Sequence, residues 1–239
     1  MTPGIEVKAV SLHFSDRTLF KQLSFTLAGG RFTSLLGPSG VGKSSLLKII
    51  AGLLAPSTGS VLGSDGLPVA GRIAWMGQRD LLYPWLSAID NVALGARLRG
   101  EKADRQWAEH LLERVGLAGN AGALPATLSG GMRQRVALAR TLYERRPIVL
   151  MDEPFSALDA ITRAQIQALA AELLADCTVL LITHDPVEAC RLSHRLLILS
   201  AAGLSELPEL AGQPPRAPDD PNLLRSQAQL MRQLTEDMA

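Results

Sequence analysis

The sequence predicts an α/β fold with a mostly parallel sheet, and three observations carry the prediction. Residues 31–36, 147–151 and 178–183 are continuous apolar runs, each the length of a strand buried on both faces. Helical patterns follow all three, over 45–51, 164–175 and 186–192. The first run leads directly into Gly37-Pro38-Ser39-Gly40-Val41-Gly42-Lys43-Ser44, which meets every fixed position of G-x-x-x-x-G-K-[ST]. Strand, glycine-rich loop and helix are the setting in which that pattern cradles phosphate.

The chemistry of this loop follows from its residue types. Its glycines let the backbone curl and turn N–H groups inward. A helix starting there adds partial positive charge. Lys43 supplies a full charge for β- and γ-phosphates, and the Ser44 hydroxyl suits Mg²⁺.

The remaining elements follow in order. Residues 5–10 alternate as a strand that Leu12 and Phe14 continue; Asp16-Arg17 reads as a hairpin turn before 18–20, and 23–27 alternate again. These thirty residues predict a small N-terminal antiparallel sheet. Phe14, the only aromatic in this first strand region, is a candidate core residue on the residues alone. The first helix should end near Gly52. Short strands are expected at 60–62 and 72–76. After Gln78 and the stretch Leu81-Leu82-Tyr83-Pro84-Trp85-Leu86 the character turns helical. Ser87 caps a helix over 88–98 and Asp104 one over 105–115. An inserted helical lobe therefore spans about 80–140. Leu128-Ser129-Gly130-Gly131-Met132-Arg133-Gln134-Arg135 opens a further helix over 136–143. Its two glycines are poor helix formers and make sense where backbone amides approach an anion.

The second apolar run ends in Asp152-Glu153, two adjacent carboxylates stopped by Pro154. Beside a phosphate loop they fall where Mg²⁺ and an attacking water sit. The third run ends at His184-Asp185, on the sheet edge where open α/β folds bind ligands. Residues 195–200 are a last strand. Beyond 203 the composition shifts: prolines at 208, 214, 215, 218 and 221 interrupt the chain, and Leu223, Leu230 and Leu234 mark a terminal amphipathic helix. The expected division is 1–203 for the main unit and 204–239 for this tail.

Composition excludes several classes. Lys and Arg total 24 against 23 Asp and Glu, so no basic field argues for nucleic acid. Two cysteines, Cys177 and Cys190, are too few for a disulfide framework, which suits a reducing compartment. The first residues do not form a signal peptide and no apolar run is long enough to cross a bilayer. Work at a membrane would need another chain to hold this one there.

Over residues 4–203 these features resemble the ATP-binding subunit of ABC transporters. The resemblance rests on motifs in the family's order: the phosphate loop, Gln78, Leu128 to Gln134, residues 148–153, Ser156-Ala157-Leu158-Asp159, and His184. It implies a P-loop NTPase core with ATP and Mg²⁺ as ligands. Phe14 would stack on adenine, where the family often has Tyr. The loop residues Gly37, Pro38, Ser39, Gly40, Val41, Gly42, Lys43, Ser44 and Ser45 would hold the phosphates. Ser44, Gln78 and Asp152 would serve Mg²⁺, Glu153 would polarise water, and His184 would contact the γ-phosphate. Ser129, Gly130, Gly131 and Asp159 would act on a nucleotide held by a second, head-to-tail subunit.

The order Gln78, 81–86, then Asn91-Val92-Ala93-Leu94-Gly95 is similar to bacterial importers of nitrate, sulfonates and taurine, or of thiamine's pyrimidine precursor. That similarity implies a membrane permease docking near Gln78 to Trp85, a solute-binding protein acting indirectly, no nucleic acid, and a peripheral place on the cytoplasmic face of the inner membrane. Tyr83, Pro84 and Trp85 are alternatively lobe core. Competing expectations are an exporter or lipid-extraction ATPase and a soluble ABC-type ATPase outside transport.

Overall fold

The computed structural model describes residues 2–14 and 17–236. The chain opens with strands β1 (Ile5–Phe14), β2 (Arg17–Leu27) and β3 (Phe32–Leu36), then the phosphate loop and helix α1 (Lys43–Ile50). Strands β4 (Thr58–Gly63) and β5 (Ile73–Met76) lead to helices α2 (Ala88–Val92), α3 (Leu94–Leu98), α4 (Arg105–Arg114) and α5 (Gly130–Tyr143). The chain continues through β6 (Ile148–Asp152), α6 (Ala160–Leu173), β7 (Thr178–Ile182), α7 (Pro186–Leu192), β8 (Arg195–Ser200), β9 (Gly203–Glu206) and α8 (Pro221–Glu236).

β1 lies between β2 and β4 in an antiparallel sheet. Of the expected hairpin turn, Asp16 lies outside the described residues, while Arg17 already pairs with Phe14. The second sheet has the order β5-β6-β7-β3-β8-β9; its first five strands are parallel and β9 returns antiparallel on β8. Every helix crossover returns to the same end, so strand C-termini share one edge. The register fixes that edge closely: Leu35 pairs with Ile182, and Ile182 with Asp152.

Both faces of this sheet are covered, which is why its strands read as unbroken apolar runs. Val149, Met151, Val179 and Leu181 pack on the helical layer with Leu111, Val136 and Leu169. Ile148, Leu150, Leu180 and Ile182 face the other way, onto α1 and the antiparallel sheet. The helices begin where short polar side chains cap them: Ser87, Asp104, Ser129, Asp159 and Asp185 each accept from a first-turn N–H.

Four expectations shift. α5 starts at Gly130 rather than 136, because Ser129 caps it and the glycine pair falls inside the helix. The single helix over 88–98 is two, broken at Ala93, with the poor helix former Gly95 just beyond. α6 starts at Ala160 rather than 164, because Asp159 caps it. A further strand, β9 from residue 203, follows the strand over 195–200 that the sequence reads as the last. Leu207, Leu223 and Leu230 are buried with Leu36, Ala189, Cys190, Leu196 and Ile198.

Arg216 ties this tail down. It is buried, and its guanidinium donates to the carbonyls of Cys190 (2.8 Å) and Ser193 (2.7 Å) at the end of α7 and of Leu210, Ala211 and Gly212 in the tail. Every guanidinium N–H can thus find an acceptor. Burial lowers its pKa from the ordinary arginine range. Arg216→Met should leave these carbonyls unpaired and cost about 2–4 kcal/mol. Urea unfolding should report the loss, and limited proteolysis should cut first beyond Leu207.

Candidate active site

The phosphate loop leaves β3 through Gly37, whose φ of 140° suits glycine, and a Cβ there would run into the Leu199 carbonyl. α1 then starts at Lys43. The Lys43 ammonium folds over the loop and donates to the carbonyls of Gly37 (2.7 Å) and Pro38 (2.8 Å). Burial lowers its pKa, opposed by the nearby Glu153 and Asp152. The Arg17 guanidinium reaches the Gly40 carbonyl at 3.3 Å, so the β1–β2 hairpin is fastened to the loop. Phe14, opposite Arg17, is 51% exposed, which removes the core reading and leaves its ring open for stacking.

Across β7, the end of β6 presents Asp152 and Glu153. Asp152 is buried, and burial pushes its pKa up; a Ser44 hydrogen bond pulls it down, Glu153 raises it, and Lys43 and Lys48 lower it. Oxygens of Ser44, Asp152 and the Gln78 amide form a hard-donor set, and a buried carboxylate short of positive charge fits a small divalent cation. Glu153 stands between two other loops. Its carboxylate accepts from the Gln78 amide at 3.4 Å and lies 3.2 Å from His184 Nδ1. A cleft of about 320 Å³ gathers Lys43, Ser44, Gln78, Asp152 and Glu153 with Ser39 and Ser45 of the loop.

The residues expected to act on a second subunit's nucleotide lie elsewhere. Ser129, Gly130 and Gly131 open α5 and do not line this cleft; the Ser129 hydroxyl accepts from Met132 N–H at 3.2 Å. Asp159 likewise caps α6, accepting from Ile161 (3.2 Å) and Thr162 (3.0 Å). Tyr83 and Trp85 are 41% and 70% exposed and meet edge to face at 5.3 Å, so they are surface rather than lobe core. Their loop is held by Asn91, fully buried, which donates to the carbonyls of Tyr83, Leu86 and Ser87 and accepts from Tyr83 N–H. Arg140 donates to the Asp80 (2.6 Å) and Leu81 (2.9 Å) carbonyls and steadies the segment after Gln78. Residue type alone marks none of these supports as functional.

The family model described as ABC transporter matches residues 20–156. The chain belongs to the ABC transporter family. It is 47% identical, over 96% of its length and 98% of the relative's, to an uncharacterized ABC transporter ATP-binding protein of Haemophilus influenzae. It is 43% identical, over 95% and 92%, to aliphatic sulfonates import ATP-binding protein SsuB 1 of Rhodococcus jostii. Among solved structures it resembles the dimeric ATP-binding cassette MJ0796 in a post-hydrolysis state with ADP and Pi. The TM-score is 0.79 at 31% identity, covering 87% of this chain and 99% of that one. This ABC transporter chain is thus an ATP-binding, ATP-hydrolysing subunit with a P-loop NTPase fold.

Behind His184, this ABC ATPase buries a carboxylate. Glu188 of α7 accepts from Gln167 of α6 at 2.9 Å, and Arg191 holds the same Gln167 at 2.7 Å. Burial pushes the Glu188 carboxyl up to about 7; hydrogen bonds from Thr183 and Gln167 oppose, Asp185 adds, and Arg163 opposes. The folded state therefore holds this proton more tightly than the unfolded chain. That stabilisation is complete below the ordinary glutamate value of 4.5 and is lost as pH rises through about 7. Urea unfolding from about pH 5 to about pH 8 should show wild type losing up to about 3 kcal/mol relative to Glu188→Gln.

Proposed function

We propose that the chain energises an importer of small organic anions of the sulfonate type, through ATP-driven closure of a dimer against a membrane permease. One observation carries the catalytic part: the Glu153 carboxylate sits between Gln78 and His184 at the cleft that holds Lys43 and Ser44. In this reading Glu153 takes the proton of the attacking water, and Gln78 and His184 orient it and the γ-phosphate. Lys43, with the amides of the phosphate loop, neutralises the phosphates. Ser44 and Asp152, with Gln78, would hold Mg²⁺, which when bound supplies positive charge to the phosphate oxygens. Phe14 stacks on the base. Ser129, Gly130, Gly131 and Asp159 complete the site of a second copy of the chain.

The cargo class is supported by the aliphatic-sulfonate names of several relatives. Exposed Leu81, Tyr83 and Trp85 supply an apolar surface for the permease, next to Gln78. No helix among the described residues is long and apolar enough to cross a membrane, so the permease would hold the chain at the cytoplasmic face. A solute-binding protein on the far side would choose the cargo. Residues 80–140 act as the lobe that carries both the docking loop and the start of α5.

Glu153→Gln should lower phosphate release by about a hundredfold or more while ATP binding survives. Size-exclusion chromatography with ATP should then show a lasting dimer; an unchanged hydrolysis rate would sink the role given to Glu153. Lys43→Ala should instead weaken nucleotide affinity itself, measured by titration. Trp85→Ala should leave the ATPase of the isolated chain near wild type and reduce co-purification with the permease from detergent-solubilised membranes.

A further inference from the structure

Glu153 does more than end a strand. Its backbone turns through φ 50°, a left-handed conformation that a residue bearing a Cβ keeps only when its surroundings hold it. Its own N–H is bound to the Ile182 carbonyl at 2.9 Å, which anchors it to β7. Its carbonyl accepts from the Gln134 amide at 3.0 Å and from the Ser156 hydroxyl at 3.1 Å.

Gln134 is buried in α5 and every polar atom of its amide is used. The oxygen accepts from Ala157 N–H at 2.7 Å, and the nitrogen serves the Glu153 carbonyl and lies 3.3 Å from the Ser156 hydroxyl. The requirement is a donor and an acceptor side by side at the end of a two-methylene arm. Asparagine falls one methylene short, and glutamate lacks the donor. The start of the same helix also presses on this loop: a Cβ on Gly131 would stand 3.1 Å from the Ala157 carbonyl. Gln134 and Gly131 therefore clasp residues 153–157 from one helix.

We infer that Gln134 is a positioning residue for hydrolysis. It fixes the backbone of Glu153 so that the carboxylate stays between Gln78 and His184, and it makes that placement depend on the seating of α5. A shift of Ser129, Gly130 and Gly131 reaches Glu153 through one turn of helix and one amide. The inference rests on the proposed role of Glu153.

Gln134→Met keeps the length of the side chain and removes every hydrogen bond. In the full-length protein kcat should fall at least about tenfold, as small misplacements of a reacting group do. KM for ATP should stay within about twofold, because the phosphate loop is untouched. Hydrogen exchange at the Ala157 amide should accelerate. Ser156→Ala removes the second bond to the same carbonyl and should lower kcat about two- to threefold, with a loss in the double variant smaller than the product of the single losses. Gln134→Met with kcat within about twofold of wild type would overturn the inference. So would a raised KM at preserved kcat. If Gln134→Met does not fold, Ser156→Ala decides: a lowered kcat supports the inference and an unchanged one overturns it. Glu153→Gln separates the two levels. Hydrolysis surviving there removes the role of Glu153, whereas hydrolysis lost there but intact in Gln134→Met removes the role of Gln134 alone.

Discussion

The site depends on one backbone constraint, the register of three parallel strands. Ile182 is paired on one side with Leu35 and on the other with Asp152. The phosphate loop starts two residues after Leu35, His184 stands two after Ile182, and Glu153 follows Asp152. The spacing of cation, imidazole and carboxylates is thus inherited from a hydrogen-bonded ladder and not from the loops. A slip of one residue in β6 would exchange its two faces, sending Val149 and Met151 to the side that Ile148 and Leu150 now fill. Two separate apolar clusters would have to repack, so the register is held by packing on both faces.

That rigid edge concentrates charge of both signs. The Lys43 ammonium and the Asp152 carboxylate are both shifted toward their neutral forms by burial, and each is partly restored by the other. Such a site is poised for a ligand that brings opposite charges together. Phosphates would replace the Gly37 and Pro38 carbonyls around Lys43, and a divalent cation would replace the missing positive charge at Asp152. Each exchange would offset a desolvation cost that burial places on Lys43 and Asp152, and a neutral ligand would offset neither.

Sequence made the chemistry legible and left its support hidden. The phosphate loop, the Asp152-Glu153 strand end, His184 and the caps Ser87 and Asp104 are local signals, each contained in a few consecutive residues. The strand order was not legible, because β7 enters between β3 and β6 from more than 140 residues after β3 begins. β9 was missed because four residues, two half-buried and two exposed, beside a proline-rich stretch carry no alternation long enough to read. Gln134, Asn91 and Arg216 were missed as structural anchors for a shared reason. Each uses a side chain to satisfy backbone groups of another segment, and composition does not encode which carbonyl a glutamine will meet. Phe14 and Trp85 show the opposite case. Sequence left both undecided between core and surface, and their exposure decided it.

The same geometry bears on why one chain would hold only part of a working site. Ser129, Gly130 and Gly131 start a helix in which the Ser129 hydroxyl already caps the Met132 amide, and the cleft with Lys43 does not include them. The clasp explains how such a separation can still serve one reaction. α5 reaches back from its exposed start to the backbone of Glu153 through Gln134, so in the proposed arrangement a phosphate met at that start and a phosphate held by Lys43 would act on opposite ends of one connected unit. With two copies related by a two-fold axis, each nucleotide would touch the loop of one chain and the helix start of the other. Hydrolysis at either site would then require α5 of both chains to be seated, which couples closure of the pair to the placement of each carboxylate.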